Sequence, residues 1–120
     1  MTEREVMHQC SVIFERLGWE VRTEELFEIG RKNPFRCDIV LRHNDEIYGF
    51  VEVINRDNLK EKAEKVLSVL NSVVGHLKPK VFIITNGFSF DLYHFGDFYG
   101  SLTVPPTPED VDILFGGEEE

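Results

Sequence analysis

Cysteine is scarce in this chain. Cys10 and Cys37 are the only two in 120 residues, too few and too far apart for a disulfide framework or a thiolate zinc site. Each stands among apolar neighbours, so both read as reduced, buried core side chains. No uninterrupted apolar run approaches the roughly 20 residues that a membrane-crossing helix needs, and no membrane partner is expected. A Gly-rich strand–loop–helix that cradles phosphates is also missing, so nucleotide hydrolysis is not indicated. The histidines (His8, His43, His76 and His94) form no helical i, i+4 pair, which argues against a histidine metal site. Met1-Thr2-Glu3-Arg4-Glu5 does not lead from basic residues into an apolar core, and the cytoplasm is the expected compartment.

Basic charge is outnumbered, 13 residues against 22 acidic ones, for a net charge of −9. Taken alone, this argues against affinity gained by neutralising phosphates. Six of the acidic residues fall within 109–120, where no Lys or Arg occurs, so residues 1–108 carry only −3. A hydrophobic content of 42% with 12% aromatics is enough for one self-sufficient core.

Glu3, Val6, Cys10, Ile13, Phe14 and Leu17 recur at helical spacing, with Thr2 placed to cap the start and Gly18 to end it. Trp19 to Ile29 tends toward alternation but carries many carboxylates, which suits an exposed or edge strand. Phe35–Leu41 and Ile47–Asn55 flank His43-Asn44-Asp45-Glu46 and predict an antiparallel hairpin. A second helix is expected from Asp57 or Asn58 to Leu77, with Leu59, Ala63, Val66, Leu67 and Leu70 on its apolar stripe. Lys80–Thr85, the Asn86-Gly87 turn and Phe88–Phe95 predict a second hairpin. The expected architecture is an α/β domain over residues 1–100, with a mixed sheet, the order αβββαββ and helices packed on the sheet. Residues 101–120, with Pro105, Pro106 and Pro108, are expected as a flexible acidic tail. Within it, the apolar group Val111, Ile113, Leu114 and Phe115 could dock on the domain, on a second copy in a homodimer, or on a protein partner.

Asp38 and Glu52 are embedded in otherwise apolar strand cores, where an unpaired ionised carboxylate is strongly disfavoured. A hard divalent cation would compensate them, with the Val53 carbonyl as a further ligand. Glu3 extends the inward stripe of the first helix and can join the pair, whereas Glu5 falls off that stripe. The ordinary alternatives are a pairing of Asp38 with Arg36 or Arg42 and a helix-dipole role for Glu3. Hairpin register is a test, because a simple two-residue turn at Asn44-Asp45 would place Asp38 opposite Val51 and turn the carboxylates apart. A three-residue loop or a β-bulge near Asp38 would bring them to one face.

Leu17-Gly18-Trp19, Arg36-Cys37-Asp38-Ile39-Val40-Leu41, Gly49-Phe50-Val51-Glu52-Val53 and Phe82-Ile83-Ile84-Thr85-Asn86-Gly87 together resemble the PD-(D/E)xK nuclease-like superfamily. Within it they are similar to the N-terminal nuclease domain of type I restriction R subunits and their short stand-alone relatives, over about residues 3–95. The resemblance implies a restriction-endonuclease-like fold, Mg²⁺ or Mn²⁺ held by Asp38, Glu52 and the Val53 carbonyl, assistance from Glu3, and cleavage of DNA. It also implies a lysine two residues beyond the strand glutamate, and this chain has Ile54 there. An alkyl side chain can neither activate water nor stabilise charge on a phosphate. Lys62, near the sheet-facing stripe of the second helix, is the candidate replacement, with Arg56 or Asn55 as alternatives. The glutamine that the family often carries on that helix is absent from Lys65–Leu70.

Arg31, Lys32 and Arg36, and separately Lys60, Lys62, Lys65, Lys78 and Lys80, are basic groups that could contact phosphates, although a solvated loop and an ordinary helix face explain them equally. Two functions of different classes follow. One is a nuclease-like domain whose hydrolysis is weakened or lost through Ile54. The other is a catalytically inactive nucleic-acid- or protein-binding module of the same fold. A DNA-mimicking inhibitor is less favoured, because residues 1–108 carry only −3.

Overall fold

The computed structural model describes residues 2–27, 35–54, 64 and 79–116. A helix α1 (Glu3–Arg16) leads into strands β1 (Glu20–Phe27), β2 (Phe35–His43) and β3 (Glu46–Val53), then β4 (Val81–Thr85), β5 (Phe90–His94) and β6 (Asp97–Leu102), and the described chain closes with helix α2 (Pro108–Phe115). The strands form one sheet in the order β1-β2-β3-β4-β5-β6. All neighbours are antiparallel except β3 and β4, which run parallel. Parallel neighbours require the chain to cross from one end of the sheet to the other between Val53 and Val81. The helix expected over 57–77 lies outside the described residues.

The start of α1 is fixed as its sequence predicts. Thr2 Oγ1 accepts from Glu5 N at 3.1 Å, and the Glu5 carboxylate accepts from Thr2 N at 2.8 Å, a reciprocal capping box that satisfies two otherwise orphaned donors. At the other end Gly18 takes a positive φ of 105°, and Trp19 N–H donates back to Phe14 O at 3.2 Å, so the chain leaves the helix directly for β1.

Val6, Cys10 and Phe14 of α1 and Val111 of α2 pack with Ile39, Leu41, Val51, Val81, Ile83 and Leu92 on one face of the sheet. The other face gathers Cys37, Val40, Phe50, Ile54, Phe82, Ile84 and Tyr93. Strands buried on both faces read as near-continuous apolar runs, as β3 and β4 do. Cys10 and Cys37 are free and fully buried, in keeping with their reading as core residues.

Two elements go beyond the expected order. After β5, Phe95 and Gly96 take positive φ values of 50° and 89°, the conformation of a tight hairpin turn, and β6 pairs with β5 beyond it. The weakly alternating Asp-Phe-Tyr-Gly-Ser-Leu sequence of β6 hides it from a periodicity reading. Residues 101–120 were expected to be a flexible tail, but α2 forms within that stretch. Thr107 Oγ1 accepts from Asp110 N at 3.1 Å, and the Asp110 carboxylate accepts from Thr107 N, with Pro108 in the first turn, where its missing N–H is harmless. Trp19 Nε1 donates to Pro106 O at 2.9 Å, and Val111 is fully buried. The apolar group of the tail therefore docks on its own domain through Val111 and Phe115, leaving Ile113 80% exposed.

Candidate functional site

The hairpin β2–β3 decides the geometry. Its turn has two residues, Asn44 and Asp45, at φ 53° and 64°, which pairs His43 with Glu46 and Arg42 with Ile47. Leu41 then pairs with Gly49, so Tyr48 is an extra residue in β3, a β-bulge. The bulged Tyr48 is held on the α1 face, its ring 5.6 Å from Trp19, and its carbonyl accepts from Lys80 N at 2.7 Å. From there the register runs Val40↔Phe50 and Ile39↔Val51, so the next rung sets Asp38 against Glu52. Of the two devices that could bring the carboxylates together, the structure uses a bulge, placed opposite Leu41 and Arg42 rather than beside Asp38.

At Asp38 the ladder gives way to side-chain bonds. Asp38 N–H donates to Glu52 Oε2 at 3.1 Å, and Val53 N–H donates to Asp38 Oδ2 at 2.9 Å. Each carboxylate thus takes the place of a carbonyl on the neighbouring strand and holds the two backbones apart at this fork. Val53 engages the pair through its amide. Cys37 Sγ lies 3.1 Å from Ile39 O and 3.8 Å from Val51 O on β3, and it also favours the charged form of Glu52.

Both carboxyl groups are raised in pKa from their ordinary values. Glu52 rises to about 7, first because burial penalises its charged form and next because Asp38 is adjacent; the Asp38 N–H partly offsets this. Asp38 rises through burial, against the Val53 amide bond that favours its charge. Glu3 raises both through space. It lies with Arg4, Met7, Glu24 and Asp38 around a surface cleft at the N-terminus of α1, whereas Glu5 is consumed by the capping box. Among the described residues no group of three or more His, Cys, Asp and Glu side chains is gathered tightly enough to hold a metal ion. Glu3 therefore shares the cleft with Asp38 without closing a three-carboxylate cage.

Ile54, which stands where the resemblance implies a lysine, is 6% exposed in the apolar cluster of the second sheet face, and its N–H donates to Thr85 O at 2.8 Å. Lys62, Arg56, Asn55, Arg31 and Lys32 lie outside the described residues. Glu24 belongs to the cleft and was not singled out by sequence. It is one of several carboxylates on β1, and only its positive φ of 53° and its closeness to Asp38 set it apart. His43 packs against Trp19 and Tyr48, and His94 stacks on Phe115 at 4.6 Å, both far from a ligand role. Tyr93 and Tyr99 are engaged in packing with Phe98 and Phe115.

A mixed six-stranded sheet in this order with an N-terminal helix on one face is an α/β fold of the restriction-endonuclease-like kind. Solved structures with a similar fold include two that resemble it over most of the chain. A candidate nuclease of the DUF820 family from Anabaena variabilis superposes with a TM-score of 0.58 over 94% of this chain and 75% of its own, at 11% identity. The DrdV–DNA complex, seen by cryo-electron microscopy, gives a TM-score of 0.54 over 77% of this chain at 20% identity, and the match spans 9% of the DrdV chain. At such identities the likeness is one of fold. No protein-family model and no curated protein sequence matches the chain.

Proposed function

We propose that this is a nuclease-like domain that engages DNA and a divalent cation at Asp38 and Glu52, with phosphodiester hydrolysis weakened by Ile54. The observation that carries the reading is the desolvated carboxylate pair at the fork, assembled by a register shift and left without a cationic side chain from β3. Two adjacent half-buried acids with raised pKa values create a deficit that a cation relieves. Two carboxylates, rather than three or four, suit a cation that retains much of its water, as Mg²⁺ does; Mn²⁺ is the alternative. Asp38 and Glu52 would hold it, assisted by the Val53 carbonyl, with Glu3 at the cleft adding negative charge. When bound, the cation would supply Lewis-acid polarisation of a phosphate and lower the pKa of water.

DNA as the substrate class is supported by the fold and by a fold neighbour solved with DNA. Lys62 is the proposed replacement for the missing lysine. A second reading, an inactive binding module, is favoured by one observation: the position two residues after Glu52 is sealed into the core.

Titration calorimetry with Mg²⁺ and Mn²⁺, together with nicking of supercoiled plasmid, tests the proposal. Metal binding and metal-dependent nicking are expected for the native chain, and both are lost in Asp38→Ala. Metal binding without nicking selects the inactive module. The absence of both refutes the metal-centred reading. If nicking occurs, unchanged activity in Lys62→Ala removes that lysine from the site.

A further inference from the structure

Arg4 from α1 and Arg36 from β2 converge on a single carboxylate oxygen, Glu24 Oε2, at 3.4 and 3.9 Å. The two cations come from separate elements, and Glu24 meets them from a third, β1, at a left-handed φ that non-glycine residues adopt at a cost. Arg4 and Glu24 line the same cleft as Asp38, and Arg36 lies within electrostatic reach of Asp38. Both guanidinium groups are largely exposed, with side-chain exposures of 77% and 64%, so the ion pairs that hold them are weak and screened by salt. An oxygen shared by two guanidinium groups is also how arginines grip a phosphodiester, whose non-bridging oxygens accept the same charge-assisted bonds.

We propose that Arg4 and Arg36 form a clamp for a backbone phosphate of nucleic acid beside Asp38, and that Glu24 occupies this clamp until the phosphate displaces it. The inference rests on the reading of the cleft as a DNA site. Displacement frees two cations without any change in fold. An acidic chain thereby acquires a local positive contact, and occupancy by Glu24 keeps the affinity of the isolated domain low. Glu24 and Arg36 act on the Asp38 carboxyl in opposite senses, which places the clamp within electrostatic reach of the acidic pair.

The test is fluorescence anisotropy of a labelled 20-base-pair DNA duplex, without divalent cations, over a series of NaCl concentrations. Glu24→Gln is expected to tighten binding about fivefold, the scale of one exposed ion pair. Glu20→Gln is the control: it removes the same charge from the same strand, where Glu20 meets Arg22 at 3.6 Å, and should change binding less than about twofold. Arg4→Ala and Arg36→Ala should each weaken binding and flatten the slope of log affinity against log salt by about 0.9. The clamp is overturned if Glu24→Gln behaves as Glu20→Gln does, if the arginine variants bind like the native chain, or if no variant binds the duplex. Arginine-dependent binding without nicking keeps the clamp and removes hydrolysis. Nicking that ignores Arg4 and Arg36 keeps hydrolysis and removes the clamp.

Discussion

Replacing Glu52 by Gln should stabilise the domain at neutral and alkaline pH, although it alters a half-buried residue in the middle of the fold. In the unfolded chain this carboxyl ionises near its ordinary value of 4.5, and in the folded protein near 7. Below 4.5 both states are protonated and nothing is lost. Between 4.5 and 7 the unfolded chain releases a proton that the folded one retains, so stability falls as pH rises, and above 7 the loss is complete. A rise of this size corresponds to about 3 kcal/mol, a large part of the ~5–15 kcal/mol that holds a domain together. Glutamine never ionises, and its carbonyl can still accept from Asp38 N–H, so the interstrand bond is preserved. Urea unfolding at pH 5 and pH 8 measures the difference. With a slope of about 1.5 kcal/mol per molar urea, the variant should exceed the native midpoint by only about 0.5 M at pH 5 and by about 2 M at pH 8. Saturating Mg²⁺ should close that gap by stabilising the native chain alone. A native midpoint that does not fall between pH 5 and pH 8, or a glutamine variant with no gain at pH 8, refutes the argument that Glu52 is held ionised at a cost.

Further outcomes follow from the packing. A Cβ at Gly49 would lie 2.8 Å from Val81 Cγ1 and 3.0 Å from Val81 O, so Gly49→Ala should cost about 1–3 kcal/mol in urea unfolding; a neutral result would mean that β3 and β4 can part there. Ile54→Lys, which supplies the lysine that the resemblance implies, buries an ammonium in an apolar cluster and should lower stability by about 2–4 kcal/mol. A stability unchanged from the native chain would show that the position opens to solvent. Thr107→Ala removes the cap of α2 and should cost about 1 kcal/mol, with faster amide exchange confined to residues 107–116. Exchange rising throughout the domain instead would mean that α2 does not open by itself.

Much of the fold is legible in the residues. The α1 stripe and its Thr2 cap, the turns at Asn44-Asp45 and Asn86-Gly87 and the apolar runs of β3 and β4 are all local signals, and the structure follows them. The prolines after Leu102 suggest irregularity, while Thr107-Pro108-Glu109-Asp110 is a complete helix start whose worth depends on Val111 finding the core. Eight residues of helix need such tertiary support. Glu24 was passed over because neither strain at its backbone nor the approach of Arg4 and Arg36 is encoded within β1.

The anomaly of Asp38 and Glu52 is written in the residues alone, since a carboxylate amid apolar strand residues stands out without coordinates. The residues also show that no lysine follows at Ile54. That the two carboxylates meet depends on the fold. One extra residue at Tyr48 reverses the facing of every later position in β3, and that bulge is held by contacts with Trp19 and Lys80, from elements distant in the chain. Charge followed the same division: the sequence counts carboxylates, but burial and proximity decide which of them ionise at neutral pH.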